Sequence, residues 1–145
     1  MNTIDCNPAI LLAEDEPALR ELYVRQLRRS GYEVREAADG AEALRQFDQH
    51  RPILLLITDI LMPEMDGLEL AGKLRRMQPD LPVLFMSGHL NDEKYATGLA
   101  SFSEPVGTLQ KPLYTLRALT GKTEEILGSQ GAGNYDPDRK TGNEE

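Results

Sequence analysis

The strongest constraint on the fold is residues 53–57, an unbroken apolar segment made only of isoleucine and leucine. Successive side chains of a β-strand point to opposite faces of the sheet, so a strand with this sequence must be covered on both sides. Such strands are typical of parallel sheets, in which crossover helices lie on both faces. The segment leads directly into Thr58 and Asp59, so we expect a polar site at the end of this buried strand.

Shorter apolar segments alternate with amphipathic ones along the rest of the chain. Besides the segment at 53–57, strands are predicted at residues 9–13, 33–37, 83–86 and 108–110. Helices are predicted from Pro17 to the break at Gly31, after Asp39, and at about residues 66–78, 91–99 and 115–127. Alternating strands and helices imply parallel strands joined by right-handed crossovers. We therefore expect an α/β fold, a doubly wound sheet of five parallel strands with helices on both faces.

Local signals indicate where several helices begin. Pro17 suits the first position of a helix. Asp39 is followed three residues later by Glu42, the spacing of a capping box. Asp66, next to Gly67, is interpreted as an N-cap. The inner face of the first helix is predicted to consist of Leu19, Leu22, Tyr23 and Leu27.

The length bounds the number of domains. With 145 residues, the chain is long enough for one domain with a substantial core and too short for two. We assign residues 8–127 to that domain and residues 1–7 to an N-terminal extension. Residues 128–145 are mostly Gly, Ser, Asn, Asp and charged residues without an apolar period, so we expect a disordered tail there.

Charge, cysteine content and hydropathy argue against nucleic-acid binding, an internal disulfide and membrane insertion. The net charge of −8 argues against direct binding of nucleic acid, because proteins that bind it concentrate Lys and Arg on one face. Cys6 is the single cysteine, so an internal disulfide is excluded. The first residues lack the basic and apolar regions of a signal peptide, and no apolar segment is long enough to span a bilayer. We therefore expect a cytoplasmic chain that does not insert into membranes.

Polar side chains follow four of the five predicted strands. In an open parallel sheet, the functional site lies beyond the carboxyl ends of the strands. The residues at those ends are Glu14, Asp15, Glu16, Asp59, Ser87 and Lys111. Converging carboxylates repel one another unless a cation lies among them, and carboxylate oxygens are ligands that Mg²⁺ prefers. The sequence thus predicts a cation site at this edge of the sheet.

The same residues suit the transfer of a phosphoryl group to a carboxylate. An aspartate can act as a nucleophile toward phosphorus, and Asp59 follows the most apolar strand. Lys111 can neutralise charge on the phosphoryl oxygens, and the hydroxyl of Ser87 can donate a hydrogen bond to them.

The chain resembles the receiver domain of two-component response regulators, and most closely the receivers attached to hybrid sensor histidine kinases. The matching motifs are LLAEDEP at residues 11–17, TDILMPEMDG at 58–67, MSGH at 86–89 and QKP at 110–112. The resemblance covers residues 8–127. It implies the flavodoxin-like strand order 2-1-3-4-5 and a cis peptide bond between Lys111 and Pro112.

The resemblance also implies a role for each residue at the strand ends. Asp59 is the implied phosphoacceptor, Ser87 the switch hydroxyl and Lys111 the lysine that contacts the phosphoryl group. The implied ligands of Mg²⁺ or Mn²⁺ are Glu14, Asp15, a carboxylate oxygen of Asp59 and the backbone carbonyl of Leu61. The implied partner is a sensor histidine kinase or a histidine phosphotransfer protein. The activity is limited to self-catalysed phosphotransfer and autodephosphorylation, so the chain is not expected to be an enzyme.

Two positions depart from the common receiver pattern. Glu14 stands where many receivers have Asp, and Thr108 stands where most have an aromatic residue that turns inward on activation. Thr108 therefore puts the usual output mechanism in doubt. Two alternatives stay open: a pseudo-receiver that docks partners without phosphorylation, and a receiver whose natural chain is longer. A homodimer is also left open.

Three other functions fit the sequence poorly. A phosphatase of the haloacid-dehalogenase type needs a second Asp two residues after the nucleophile, where this chain has Leu61. A flavodoxin-like cofactor site needs a phosphate-binding loop, and the acidic residues 14–16 would repel phosphate. A DNA-binding regulator needs an output domain, and no helix-turn-helix pattern follows residue 127.

Overall fold

The computed structural model describes residues 8–47 and 52–131. Within these ranges, strands and helices alternate along the chain, as the sequence predicts. The elements are β1 (Ala9–Ala13), α1 (Pro17–Arg29), β2 (Val34–Ala37), α2 (Gly40–Gln46), β3 (Ile53–Asp59), α3 (Gly67–Met77), β4 (Val83–Ser87), α4 (Glu93–Ala100), β5 (Val106–Gln110) and α5 (Arg117–Gly131).

The five strands form one parallel sheet in the order β2-β1-β3-β4-β5, which confirms the predicted fold and strand order. β3 lies at the centre of the sheet, and its side chains are almost all buried, as its two-sided apolar sequence requires. The strands end level with one another, since Ala13 pairs with Thr58, Asp59 with Met86, and Ser87 with Gln110. This register brings the polar residues after each strand to one edge of the sheet.

The helices cover the sheet from both sides and create two cores. One core lies under α2, α3 and α4 and contains Leu56, Leu70 and Phe85. The other lies under α1 and α5 and contains Leu55 and Ile57. Neighbouring residues of β3 thus point into different cores, and each fully buried side chain contributes about 1.5–3 kcal/mol to stability.

The predicted caps of two helices are confirmed. The side chain of Asp39 accepts a hydrogen bond from the backbone N–H of Glu42 at 2.8 Å, and Glu42 Oε1 accepts one from the N–H of Ala38 at 2.8 Å. The side chain of Asp66 caps α3 by accepting a hydrogen bond from the N–H of Glu69 at 2.8 Å. These carboxylates also lie at the positive end of a helix dipole.

The structure differs from the sequence-based prediction at three places. β5 starts at Val106, two residues before the start predicted at residue 108. Leu22, assigned to the inner face of α1, is 41% exposed, because Val24 rather than Leu22 completes the buried stripe with Tyr23 and Leu27. α5 runs to Gly131, past the predicted domain end at residue 127. Backbone hydrogen bonds continue the helix after its last apolar contact with the core. The predicted extension at residues 1–7, which includes Cys6, and the tail from residue 132 lie outside the described residues.

The guanidinium of Arg75, near the end of α3, fixes the loop that precedes β5 by hydrogen bonds. It donates hydrogen bonds to the backbone carbonyls of Leu81 at 2.9 Å, Ser103 at 2.8 Å and Pro105 at 3.0 Å. The guanidinium carbon also lies 5.5 Å from the ring centroid of Phe102. The start of β5 is therefore fixed to α3 as well as to its neighbouring strand β4.

None of the helices within residues 8–47 and 52–131 combines the length and the hydropathy needed to cross a bilayer.

Candidate functional site

The carboxyl ends of four strands converge on one cluster of polar side chains. Glu14 follows β1, Asp59 ends β3, Ser87 ends β4 and Lys111 follows β5. Glu14, Asp59 and Ser87 are buried, although all three are polar. Polar groups lose favourable interactions with water when they are buried, so each of them needs a partner inside the protein or a bound ligand.

Lys111 joins two of the carboxylates. Its ammonium Nζ lies 2.9 Å from Asp59 Oδ1 and 3.0 Å from Glu14 Oε1. The second oxygen of Glu14 accepts a hydrogen bond from the N–H of Glu16 at 3.0 Å. The backbone N–H of Lys111 donates to the carbonyl of Ser87 at 2.9 Å, and the bond from Lys111 to Pro112 is cis, as expected. Lys111 is thus held by both its backbone and its side chain.

Three carboxylates lie close enough to share one cation. One oxygen from each of Glu14, Asp15 and Asp59 lies within 4.8 Å of the others, and Asp15 is exposed to solvent. Lys111 neutralises only one of these three negative charges. A set of carboxylate oxygens with excess negative charge and an open side fits a hard divalent cation such as Mg²⁺. Leu61, the fourth predicted ligand through its carbonyl, lies on the wall of the same cavity.

The Ser87 hydroxyl is held by its own loop in this structure. Ser87 Oγ accepts a hydrogen bond from the backbone N–H of His89 at 2.8 Å. His89 lines the same cavity as Asp59 and is exposed. Thr108, on β5, is also exposed. The structure therefore brings Glu14, Asp59 and Lys111 into direct contact, with Ser87 beside them.

The backbone of Asp59 is in unusually close contact with the start of α3. The N–H of Gly67 donates to the carbonyl of Ile60 at 2.8 Å. A Cβ placed on Gly67 would lie 2.1 Å from the carbonyl oxygen of Asp59. Only a residue without a side chain leaves room for this approach, so Gly67 lets α3 fix the backbone that carries Asp59.

Burial governs the acid–base behaviour of the site. Burial, and then the neighbouring Glu14 carboxylate, raise the pKa of Asp59 from 3.8 to about 7, against the opposing effect of Lys111. Burial alone lowers the pKa of Lys111, but its hydrogen bonds with Asp59 and Glu14 outweigh burial and raise that pKa above its ordinary value. The lysine is therefore charged at neutral pH, whereas the Asp59 carboxyl binds a proton more tightly than a free aspartate.

This pKa predicts a pH-dependent difference in stability between the metal-free wild type and Asp59→Asn. Because the folded state binds the Asp59 proton more tightly than the unfolded state, that proton stabilises the fold at low pH, and this contribution is lost as pH rises toward 7. The free energy of unfolding of Asp59→Asn, relative to wild type, should rise by roughly 2–3 kcal/mol between about pH 5 and about pH 8. Urea unfolding in EDTA at both pH values measures the difference.

Asp66→Asn is the matched control, because it removes a carboxylate from the nearby N-cap while asparagine still caps the helix. The relative stability of this control should change much less with pH. Parallel pH curves for Asp59→Asn and wild type would contradict the assignment of a raised pKa to Asp59.

The cluster lies at one end of a groove with a volume of about 620 Å³. The groove runs between α1 and the loop that joins β5 to α5, and apolar side chains form much of its wall, among them Leu19, Leu22, Tyr23, Leu113, Tyr114 and Leu116. Sequence reasoning placed Tyr23 in the core and missed that its ring also borders the site, 6.0 Å from the Lys111 ammonium. No local pattern indicates this contact, because Lys111 comes from a distant part of the chain.

Comparisons with known proteins agree with this geometry. The chain is 39% identical over 122 residues to the response regulator receiver protein CpdR of Brucella abortus, covering 81% of this chain and 95% of CpdR. Other relatives are longer: the chain covers only 13% of the sensor kinase CckA of the same organism, to which it is 38% identical.

Solved structures show the same fold. The receiver domain of the hybrid histidine kinase CckA superposes with a TM-score of 0.66 at 40% identity, covering 82% of this chain and 98% of that domain. The response regulator protein TrrA of Thermotoga maritima, in complex with Mg(2+)-BeF, gives a TM-score of 0.69 at 31% identity, with coverage of 83% and 99%. Residues 10–122 match the family described as the response regulator receiver domain. The chain therefore belongs to the receiver domain family of two-component response regulators.

Proposed function

We propose that this receiver takes a phosphoryl group onto Asp59 from a sensor histidine kinase or a histidine phosphotransfer protein. The observation that carries the proposal is the position of the Lys111 ammonium, which lies 2.9 Å from Asp59 Oδ1 at the open end of an acidic cluster. A buried carboxylate beside a fixed ammonium has both the nucleophile and the countercharge that phosphoryl transfer needs. Because the donor histidine is phosphorylated from ATP, we place this reaction in the cytoplasm.

The chain's own residues account for the transfer. A carboxylate oxygen of Asp59 attacks the phosphorus atom, the bond from phosphorus to the donor's histidine nitrogen breaks, and the imidazole leaves with the electron pair. Lys111 then exchanges its contact with Asp59 Oδ1 for one with a phosphoryl oxygen. Ser87 Oγ, now held by the N–H of His89, turns to donate a charge-assisted hydrogen bond to another phosphoryl oxygen.

Glu14, Asp15 and Asp59 would hold Mg²⁺ or Mn²⁺, with the carbonyl of Leu61 as a further ligand. When bound, the cation neutralises negative charge on the phosphoryl oxygens. Each oxygen of Glu14 already accepts one hydrogen bond, from the Lys111 ammonium and from the N–H of Glu16. Asp15 and Asp59 would be the main ligands, and Glu14 would assist them.

Asp15→Asn is expected to weaken Mg²⁺ binding by at least about tenfold, because it removes one of the two main carboxylate ligands from a site with few protein ligands. Isothermal titration of metal into the wild type and the variant measures the loss. Asp92→Asn is the control, since Asp92 caps α4 and is not one of the clustered carboxylates. Equal affinity in Asp15→Asn and wild type would remove Asp15 from the ligand set.

Incubation of the wild type with acetyl phosphate tests the proposed function without a partner protein. In Mg²⁺ the intact mass should increase by one phosphoryl group, and peptide mapping should place it on Asp59. In EDTA the increase should be absent or much slower. A wild type that gains no mass, yet binds a histidine kinase domain, would favour the alternative of a docking module that is not phosphorylated.

The apolar groove gives the donor protein a place to bind. It contains Asp59, and three large exposed apolar residues line it, Leu22, Leu61 and the fully exposed Tyr114. Tyrosine is frequent among residues that dominate interfaces, because it buries a large surface with little loss of side-chain freedom. We propose that the domain carrying the phosphohistidine covers this groove, with the histidine pointing toward Asp59.

Tyr114→Ser is expected to slow phosphotransfer from a phosphorylated histidine kinase by about tenfold or more. The rate with acetyl phosphate should fall far less, because so small a donor does not cover the groove. The ratio of the two rates is the measurement, and Met77→Ser is the control, as Met77 is an exposed apolar residue at the end of α3. A similar fall with both donors would show that Tyr114 acts on the site and not on docking.

A further inference from the structure

Tyr23 presents an aromatic ring to the ammonium of Lys111. The residue lies on α1 and is 3% exposed, and its ring centroid is 6.0 Å from Lys111 Nζ. An ammonium has three donor hydrogens, and Lys111 directs two of them to Asp59 and Glu14. Within about 6 Å, the face of an aromatic ring attracts a cation, most strongly where water is excluded. The ring therefore offers Lys111 a third attractive contact, which carries no negative charge and takes no part in the phosphoryl transfer.

This contact matters at the moment when the carboxylate contacts change. Lys111 has a long flexible side chain, and its charge is located by its partners. Phosphoryl transfer to Asp59 exchanges one of the two carboxylate contacts for a phosphoryl oxygen, while the ring of Tyr23 is unchanged by the reaction. We propose that Tyr23 is a positioning residue for Lys111, whose ring holds the ammonium beside Asp59 while its oxygen partner changes. The inference rests on the proposed phosphoacceptor function.

The surroundings of Tyr23 support a role for the ring and not for a phenolate. Burial raises the pKa of Tyr23, and the nearby carboxylates act in the same direction against Lys111. The side chain is therefore neutral at working pH, so Lys111 meets a ring face and not a second anion. The hydroxyl is dispensable for such a contact, so we expect Tyr23→Phe to keep it.

Tyr23 also packs in the core under α1 and α5, and packing alone would explain its burial. Leucine or methionine would meet that packing requirement without offering a ring to the cation. The comparison of Tyr23→Phe with Tyr23→Leu therefore separates the two roles. Tyr23→Met is a second variant without a ring, in case leucine disturbs the fold.

The first measurement reads the contact in the metal-free protein, independently of phosphorylation. In NMR spectra, the ε-methylene protons of Lys111 should show an upfield ring-current shift in the wild type and in Tyr23→Phe. The shift should disappear in Tyr23→Leu and Tyr23→Met. Absence of the shift in the wild type would overturn the inference, whatever the outcome of the functional tests.

The second measurement is the affinity for beryllofluoride, a stable mimic of the phosphoryl group, at saturating Mg²⁺. Loss of the ring should weaken binding by about three- to tenfold, whereas Tyr23→Phe should stay close to the wild type. The affinity for Mg²⁺ alone should not change, because the ring contacts the lysine and not the acidic cluster.

Equal beryllofluoride affinity in all variants, or a parallel loss of Mg²⁺ affinity, would overturn the proposed positioning role and leave only packing. A wild type that binds no beryllofluoride at all would instead contradict the phosphoacceptor function, and the ring-current shift would still report the Tyr23 contact.

Discussion

Asp59→Asn is expected to reduce phosphoryl incorporation from acetyl phosphate to background. Asparagine has nearly the shape of aspartate, and its amide oxygen can still accept the hydrogen bond that Lys111 now donates to Asp59 Oδ1. The amide is, however, a very poor nucleophile toward phosphorus, and it removes one negative charge from the cation site. The fold should therefore persist while the reaction stops. Intact mass after incubation with acetyl phosphate and Mg²⁺ gives the result.

Circular dichroism should show the same helix content for Asp59→Asn and wild type, which separates loss of the nucleophile from loss of structure. Asp66→Asn serves again as the control, since it changes a carboxylate close in sequence and should retain full incorporation. If Asp59→Asn still gained a phosphoryl group, mapping it to Asp15 or Glu14 would move the nucleophile to another carboxylate of the cluster.

Gly67→Ala is expected to destabilise the domain by roughly 3 kcal/mol. The added methyl group would lie 2.1 Å from the carbonyl oxygen of Asp59 and 2.9 Å from its carbonyl carbon. Both atoms belong to the backbone of the central strand, so no side chain can rotate to relieve the contact. Either α3 moves away or the end of β3 shifts, and a shift of β3 would displace the Asp59 carboxylate from Lys111. Urea unfolding measures the stability, and the rate of phosphorylation should fall with it.

Gly72→Ala provides a control within the same helix. A Cβ at Gly72 would meet no atom within 4 Å, so alanine only removes the conformational freedom of glycine. This variant should gain up to about 1 kcal/mol in the free energy of unfolding. Changes of opposite sign in the free energy of unfolding would identify the contact with Asp59 as the cause of the destabilisation in Gly67→Ala. A similar gain in the free energy of unfolding for both substitutions would show that α3 tolerates side chains at both positions.

The sequence predicts the position of Asp59 because the physical cause is local. A strand that is apolar on both faces must lie inside a covered sheet, and the first charged residue after its apolar segment then lies at the sheet edge. The caps at Asp39 and Asp66 were predictable for the same reason, since a capping side chain bonds to a backbone group only three residues away.

Features that depend on distant contacts were not predictable in this way. Helical spacing places both Leu22 and Tyr23 toward the core, but the position of α5 and of the loop after β5 decides which of them is covered. The contact of Tyr23 with Lys111 depends on the same arrangement. The end of α5 was also missed, because the apolar period that marks the helix stops at Leu127 whereas the backbone hydrogen bonds continue to Gly131.

The two ends of α3 contact two strands that position residues of the site. At its first residue, Gly67 touches the backbone of Asp59, and near its last turn Arg75 binds the carbonyl of Pro105, just before β5. β5 then leads to Lys111, whose ammonium returns to Asp59. Loss of the contact between Lys111 and Asp59 would free the end of β5, while the hydrogen bond from Arg75 to Pro105 would still hold its start. For the proposed phosphorylation of Asp59, we therefore expect displacement at the far end of β5 and in the loop that follows it, which lines the groove.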